Sequence, residues 1–277
     1  MLKVHTAPTS TQETLLKPQA RKRDEGNKAW LERAMKKDSP ESGSLVLLGG
    51  ANLTHFRVRA AQSQVRRDLL PSFWSHIAIV HPDSMTALYE SSLEPPDGNF
   101  GVPRWHGIQT GTIATYDDPN RFPNIALIQW RLKKGALGEN VSFGAALTDA
   151  VTRLYADRGT VDISAALWSW LGYAWGIADQ TNPLLRGVGL PAAIMVETVF
   201  SILGIELTPG LASQSTCPEA IWQAAKWWGD FYDSEATLTE GRPTGVFHIG
   251  QTAAAVTFEE NGTAKAPPTR KSSPRHK

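Results

Sequence analysis

The chain has 277 residues, 41% of them hydrophobic, and a formal net charge of +1 at pH 7. That length allows one large domain or two small ones. The charge is uneven, because residues 1–23 carry +4 and residues 262–277 carry +5, which leaves −8 on the body between them. An acidic body without interleaved basic and aromatic residues argues against a nucleic-acid-binding core. A single cysteine excludes a disulfide framework and any multi-cysteine zinc site.

Both ends of the chain are rich in Pro, Ser, Thr and basic residues, a composition typical of disordered tails. We therefore predict basic tails over residues 1–25 and 256–277, and a single domain over 26–255. The first 25 residues contain no apolar signal core, and the longest uncharged apolar run, 163–178, is short for a bilayer span. We expect no transmembrane segment and a chain that is cytoplasmic as synthesised.

The first half of the domain alternates short helices and strands. Apolar spacing predicts a helix over 26–37, and the compact apolar run 44–48, closed by two glycines, predicts a buried strand. A second helix is predicted over 58–70. Apolar runs at 77–80 and 87–90 flank a turn, and we expect them to pair as a hairpin.

Helices dominate the second half. Residues 91–123 are rich in Gly, Pro and Asp and are predicted as loops with short strands, whereas 125–130 is a further strand. Helical spacing follows over 143–157, and the apolar, Trp-rich stretches 161–176 and 189–203 are predicted as helices that pack against the sheet or line a groove.

The only cysteine lies where a helix is predicted to begin. Pro218 suits the first helical position, and the helix is expected to run to about residue 231, before a last strand over 245–249. A sulfur at a helix N-terminus is close to free N–H groups and to the positive end of the helix dipole, which lower a thiol pKa. Cys217 is therefore a candidate nucleophile, although a lone cysteine is more often a buried apolar residue.

A thiolate needs a histidine that exchanges protons and a polar group that orients it. His76 stands at the start of a strong strand, a rigid position for a general base. Glu90 ends the partner strand of the hairpin, where its carboxylate can accept the imidazole N–H. His248, 31 residues after the cysteine, is a second candidate base but has no nearby acidic partner.

Five short segments follow one another along the chain: Ser44-Leu45-Val46-Leu47-Leu48, Ser75-His76-Ile77-Ala78-Ile79-Val80, Tyr89-Glu90-Ser91-Ser92, Gly101-Val102 and Thr216-Cys217-Pro218-Glu219. Their order resembles that of the circularly permuted papain-like hydrolases of the NlpC superfamily. Lecithin–retinol acyltransferase relatives share that permutation. The resemblance covers about residues 40–235. It implies an α+β fold in which an antiparallel sheet packs against a nucleophile-bearing helix. The interval between histidine and cysteine is long for the family, so residues 140–207 are predicted as an inserted or enlarged helical region.

The resemblance also implies a mechanism in which Cys217 is the nucleophile, His76 the base and Glu90 the orienting residue. The leading expectation is a cysteine hydrolase that cleaves a peptide or cell-wall peptide amide through a thioester, a chemistry that also suits an antibacterial effector exported without a signal peptide. A lipid acyltransferase or ester hydrolase with an apolar groove, and a non-catalytic binding module, remain alternatives. We expect no cofactor, metal or specific nucleic acid, and the sequence leaves open whether an immunity protein or carrier exists.

Overall fold

The structure is a computed structural model. It describes residues 16–35, 43–93, 107–130, 137, 141–156, 161–177, 180–228 and 243–251. Within these ranges the chain is α+β, as the sequence predicts, with seven strands and six α-helices. None of those helices has the length and hydrophobicity that crossing a bilayer requires. The predicted C-terminal tail, 256–277, lies outside the described residues.

The strands form one sheet in the order β1-β7-β6-β2-β3-β4-β5. All neighbouring strands are antiparallel except β1 and β7, which are parallel. The strand bounds are β1 Leu16–Pro18, β2 Gly43–Gly49, β3 His76–His81, β4 Ser84–Glu90, β5 Gln109–Thr112, β6 Asn124–Trp130 and β7 Pro243–Ile249. The predicted hairpin is confirmed, because β3 and β4 pair around the turn at residues 82–83.

The α-helices are α1 Asn27–Met35, α2 Leu53–Ala61, α3 Phe143–Ala156, α4 Ile163–Trp175, α5 Pro191–Ile202 and α6 Pro218–Lys226. Local chemistry fixes several of their ends. Asp162 caps α4 through its side chain, and Gly176 ends that helix with a φ of 67°, a left-handed conformation that glycine adopts without steric cost. Pro191 and Pro218 occupy first-turn positions of α5 and α6, where a missing N–H costs nothing.

Apolar residues cover both faces of the sheet, and alternation along each strand divides them into two cores. In β2, Leu45 and Leu47 face one core, whereas Val46 and Leu48 face the other. We call the first the helix-side core, because residues of α2 to α6 pack in it. The second is the α1-side core, formed with α1 and the short 3-10 helix at residues 113–116.

Two sequence predictions need correction. The predicted N-terminal tail is too long, because residues 16–18 form strand β1 and Leu16 is buried in the helix-side core. The predicted helix over 58–70 lies earlier in the chain, at Leu53–Ala61. The side chain of Asn52 caps its start by accepting a hydrogen bond from the backbone N–H of His55, and only a short 3-10 helix, Ser63–Val65, follows it. The stretch 91–123, predicted as loops with short strands, contains the four-residue strand β5 in its described part.

The helical region 140–207 is an integral layer of the fold. Residues 191–200 of α5 are all buried, and α5 packs against β3 and β4 as well as against its helical neighbours. Trp170 and Phe200 belong to the helix-side core. Most of the aromatic content of this stretch therefore serves core packing, although Trp168 is 55% exposed.

Candidate functional site

His76 and Glu90 meet across the β3–β4 hairpin. The Nε2 atom of His76 lies 2.8 Å from Oε2 of Glu90, and the two side chains are nearly inaccessible to solvent. In the pairing of β3 with β4, residues 76 and 90 are diagonal neighbours on one face of the sheet. The proximity that the hairpin predicts is therefore confirmed.

Tyr116 completes this cluster. Its hydroxyl donates to Oε2 of Glu90 at 2.7 Å and lies 3.3 Å from Nε2 of His76. Its ring stacks on the His76 imidazole with a centroid distance of 5.2 Å. Sequence reasoning missed Tyr116, because it lies in a stretch with no regular apolar period. It ends the 3-10 helix at residues 113–116, which the side chain of Thr112 caps.

Strand β5 supplies two further features around Glu90. Gln109 donates from Nε2 to Oε1 of Glu90 at 3.3 Å. Gly111 leaves room for the carboxylate, since a Cβ at this position would lie 1.9 Å from the same oxygen. The carboxylate is thus fixed by donors from His76, Tyr116 and Gln109, and its place depends on a glycine in the neighbouring strand.

The hydrogen bonds of the cluster define the tautomer of His76. Glu90 accepts from the Tyr116 hydroxyl, and a carboxylate oxygen has no proton to donate, so the imidazole donates its Nε2–H to Glu90. Nδ1 then carries the lone pair. In the described part of the chain Nδ1 makes no hydrogen bond, and it is not among the fully buried polar atoms that lack a partner. This nitrogen is therefore available to accept a proton.

Cys217 has a different environment from the one the sequence predicts. It is the N-cap of α6, as expected, but it is 1% exposed and belongs to the helix-side core. Burial raises the pKa of its thiol to about 12, although backbone hydrogen bonds from Ala220 and Glu219 act in the opposite direction. The expected lowering of the thiol pKa is wrong, because loss of hydration outweighs the effect of the helix N-terminus.

Cys217 and His76 face opposite sides of the sheet. His76 pairs with Leu48 of the α1-side core, and its ring stacks on Tyr116 of the same core. Cys217 packs in the helix-side core, which also contains Ile77, the residue after the histidine. The expected contact between sulfur and imidazole is therefore wrong for this structure, since the sheet separates the two side chains.

The helix that packs on the same face of the sheet as His76 is α1. Its first residue is Asn27, and the amide side chain of asparagine is not a nucleophile. Asn27 is fully buried, and its Nδ2 donates to the backbone oxygens of Tyr116 at 2.8 Å and Phe122 at 2.9 Å. Its Oδ1 accepts from Arg21. With donor and acceptor occupied in this way, the Asn27 side chain holds the Tyr116 turn against α1.

The second histidine candidate also fails to meet the cysteine. His248 lies on β7 opposite Ile125 of the α1-side core, and its Nδ1 accepts from the backbone N–H of Arg21 at 3.3 Å. Desolvation lowers the pKa of His248. Its position is therefore structural, at the junction of the sheet with the segment that leads to α1.

No group of three or more His, Cys, Asp or Glu side chains in the described ranges is placed to hold a metal ion. The candidate site is therefore the acid–base cluster of a histidine, a carboxylate and a phenol formed by His76, Glu90 and Tyr116.

The chain matches no protein-family model, and the search of curated proteins finds no match for it either.

Proposed function

We propose that the chain is an acyl hydrolase, cleaving an amide or ester bond, in which the His76–Glu90 pair is the general base. The observation that carries the proposal is the 2.8 Å hydrogen bond from His76 Nε2 to Glu90, which leaves Nδ1 without a partner in the described residues. A base held in one tautomer and one orientation by a carboxylate is the arrangement that proton transfer requires.

In this proposal water is the nucleophile. His76 Nδ1 takes a proton from water while the water oxygen attacks the carbonyl carbon, and Glu90 stabilises the imidazolium that forms. The imidazolium then returns the proton to the leaving nitrogen or oxygen as the bond to the acyl carbon breaks. Tyr116 donates to Glu90 throughout and limits rotation of the carboxylate, so it acts as a positioning residue.

A covalent route through Cys217 is the second candidate, and one observation favours it. Cys217 is the N-cap of α6, so its sulfur lies beside the first turn of that helix, a position that would stabilise a thiolate. This route requires the thiol to become accessible and to meet a base, neither of which the described contacts provide. An acyl group that remains on Cys217 after an acid quench, detected by mass spectrometry, would support it.

The base is tested with His76→Gln and Glu90→Gln on a panel of peptide anilides and p-nitrophenyl esters. Loss of a general base lowers kcat by about 10²- to 10⁴-fold. Loss of the charged hydrogen bond, worth about 1.5–3 kcal/mol, lowers kcat by roughly 10- to 100-fold. His81→Gln is the matched control, because His81 ends the same strand and its Nδ1 accepts from the backbone of Asp83 in the turn.

Unchanged kcat in His76→Gln, with His81→Gln also unchanged, contradicts the proposal. Unchanged kcat in Glu90→Gln, with loss of activity in His76→Gln, would mean that Glu90 does not act on the catalytic base.

A further inference from the structure

An open groove lies beside α6, on the far side of that helix from the helix-side core, and it has no role in the proposed hydrolysis. Its volume is about 310 Å³, within the range of small-molecule sites. The lining comes from three segments, at residues 65–67, 208–211 and 220–227.

One wall of the groove is a face of α6. Ala220, Gln223, Ala224 and Trp227 follow the i, i+3, i+4, i+7 spacing that places residues on one side of a helix. The two alanines leave space above the helix backbone. Gln223 accepts a hydrogen bond from Trp227 Nε1 at 3.0 Å, which fixes the indole at one end of this face.

The opposite wall is held in place from within the core. Thr208 is buried, and its backbone N–H donates to Oε1 of Glu197 in α5 at 3.2 Å. The rim is apolar, because Val65 and Leu211 are 36% and 41% exposed. The groove is therefore a preformed cleft with hydrophobic edges.

Three cations, Arg66, Arg67 and Lys226, and two carboxylates, Asp68 and Glu219, lie around the groove. Arg66 pairs with Asp68 and lies 3.7 Å from the buried Glu219, whereas Arg67 and Lys226 make no ion pair with another described residue. Arg67 lies 5.9 Å and Lys226 4.9 Å from the centre of the Trp227 ring. Two unpaired cations thus flank the aromatic end of an apolar cleft.

We propose that this groove binds a free long-chain carboxylic acid, with the acyl chain over Ala220 and Ala224 and the carboxylate at Arg67. An apolar cleft with unpaired cations at one end matches a ligand that is apolar along its length and anionic at its terminus. The small α6 side chains favour a slender chain over a ring system. This inference does not depend on the His76–Glu90 proposal, because the groove contains none of the residues of that cluster.

The test is calorimetric titration of the full chain with dodecanoate below its critical micelle concentration, beside dodecan-1-ol and dodecyltrimethylammonium as probes of the same chain length. Ala224→Trp fills the groove and Arg67→Gln removes the cation. The matched controls are Ala29→Trp, on the exposed side of α1, and Arg23→Gln, whose side chain is 96% exposed. Unfolding temperatures of all variants establish that they are folded.

We expect dodecanoate to bind wild type and both controls equally. Ala224→Trp should weaken binding more than tenfold, and Arg67→Gln by roughly fivefold, the factor for a solvent-exposed ion pair of about 1 kcal/mol. The alcohol should bind more weakly and the trimethylammonium compound most weakly.

Three results would overturn the proposal. The cationic probe binds as tightly as dodecanoate, Ala224→Trp binds dodecanoate as tightly as wild type does, or wild type binds no dodecanoate at all. A concentration-dependent increase in mass that Ala224→Trp abolishes would instead assign the groove to a second copy of the chain. If Ala224→Trp does not fold, Arg67→Gln against Arg23→Gln still decides whether the cation selects the ligand.

Discussion

Glu197 should make the stability of the fold depend on pH. This residue of α5 is 3% exposed, and its Oε1 accepts from the backbone N–H groups of Leu207 and Thr208 at 3.1 and 3.2 Å. Its Oε2 is buried without a partner among the described residues. Burial in this apolar surrounding raises the pKa of the carboxyl from 4.5 to about 7.

The direction of the effect follows from proton uptake. Between pH 4.5 and pH 7 the folded state holds a proton on Glu197 that the unfolded chain has released, so the free energy of unfolding falls as pH rises through this window. At about 1.4 kcal/mol for each pH unit, the loss reaches about 3 kcal/mol and is complete somewhat above pH 7.

Glu197→Gln keeps an acceptor for the two backbone donors but removes the charge. We expect the variant and wild type to differ little in pH dependence below pH 4.5, and the variant to gain about 3 kcal/mol relative to wild type as pH rises to 8. Urea unfolding at a series of pH values, followed by tryptophan fluorescence, measures this difference. Glu219, whose pKa burial also raises, contributes equally to both proteins and cancels.

Glu206→Gln is the control, because Glu206 lies near Glu197 but is exposed. Its stability should follow wild type closely across the same pH range. Equal pH dependence of wild type and Glu197→Gln would refute the reasoning, since it would mean that water reaches the carboxylate in the folded protein.

Three further predictions concern the two faces of the sheet. Gly111→Ala should displace Glu90, destabilise the fold by about 1–3 kcal/mol and lower kcat. The control Gly172→Ala should be tolerated, because its added Cβ meets nothing closer than 3.4 Å. Unfolding and turnover assays check both variants, and a fully active Gly111→Ala would contradict the site geometry. Tyr116→Phe should cost about 1.5–3 kcal/mol in unfolding free energy, because it removes a donor to a buried carboxylate; no loss would indicate that the bond contributes nothing. Cys217 should react with iodoacetamide at neutral pH only after unfolding, and rapid labelling of the folded protein would contradict its burial.

The sequence predicts much of the local structure because local signals are strong there. The apolar run at 44–48 and the run at 77–80 are buried strands of the sheet, and the segment 87–90 pairs with the second of them as half-buried β4. Pro218 marks the start of α6 within one residue. In contrast, β1 and β5 are short edge strands with few apolar residues, Leu-Lys-Pro and Gln-Thr-Gly-Thr, and their pairing depends on partners distant in the chain.

The candidate site shows the same difference between contacts within a local segment and contacts between distant segments. The contact of His76 with Glu90 follows from a local hairpin, so the sequence predicts it. The separation of His76 from Cys217 depends on which face of the sheet α6 covers. That is a feature of tertiary packing, and neither the alternation of apolar residues in β3 nor the capping residue of α6 predicts it. Tyr116 reaches the cluster from an irregular segment, where sequence offers no periodic signal.

In the proposed mechanism, proton transfer takes place on the face of the sheet that carries His76, and the thiol on the other face takes no part in it. The most direct measurement is kcat for Cys217→Ala and His76→Gln on one hydrolysed substrate, with folding verified for both proteins. We expect near wild-type turnover for Cys217→Ala and a loss of about 10²-fold or more for His76→Gln. Inactivity of a folded Cys217→Ala, together with an acyl group trapped on the wild-type sulfur, would contradict the proposed mechanism.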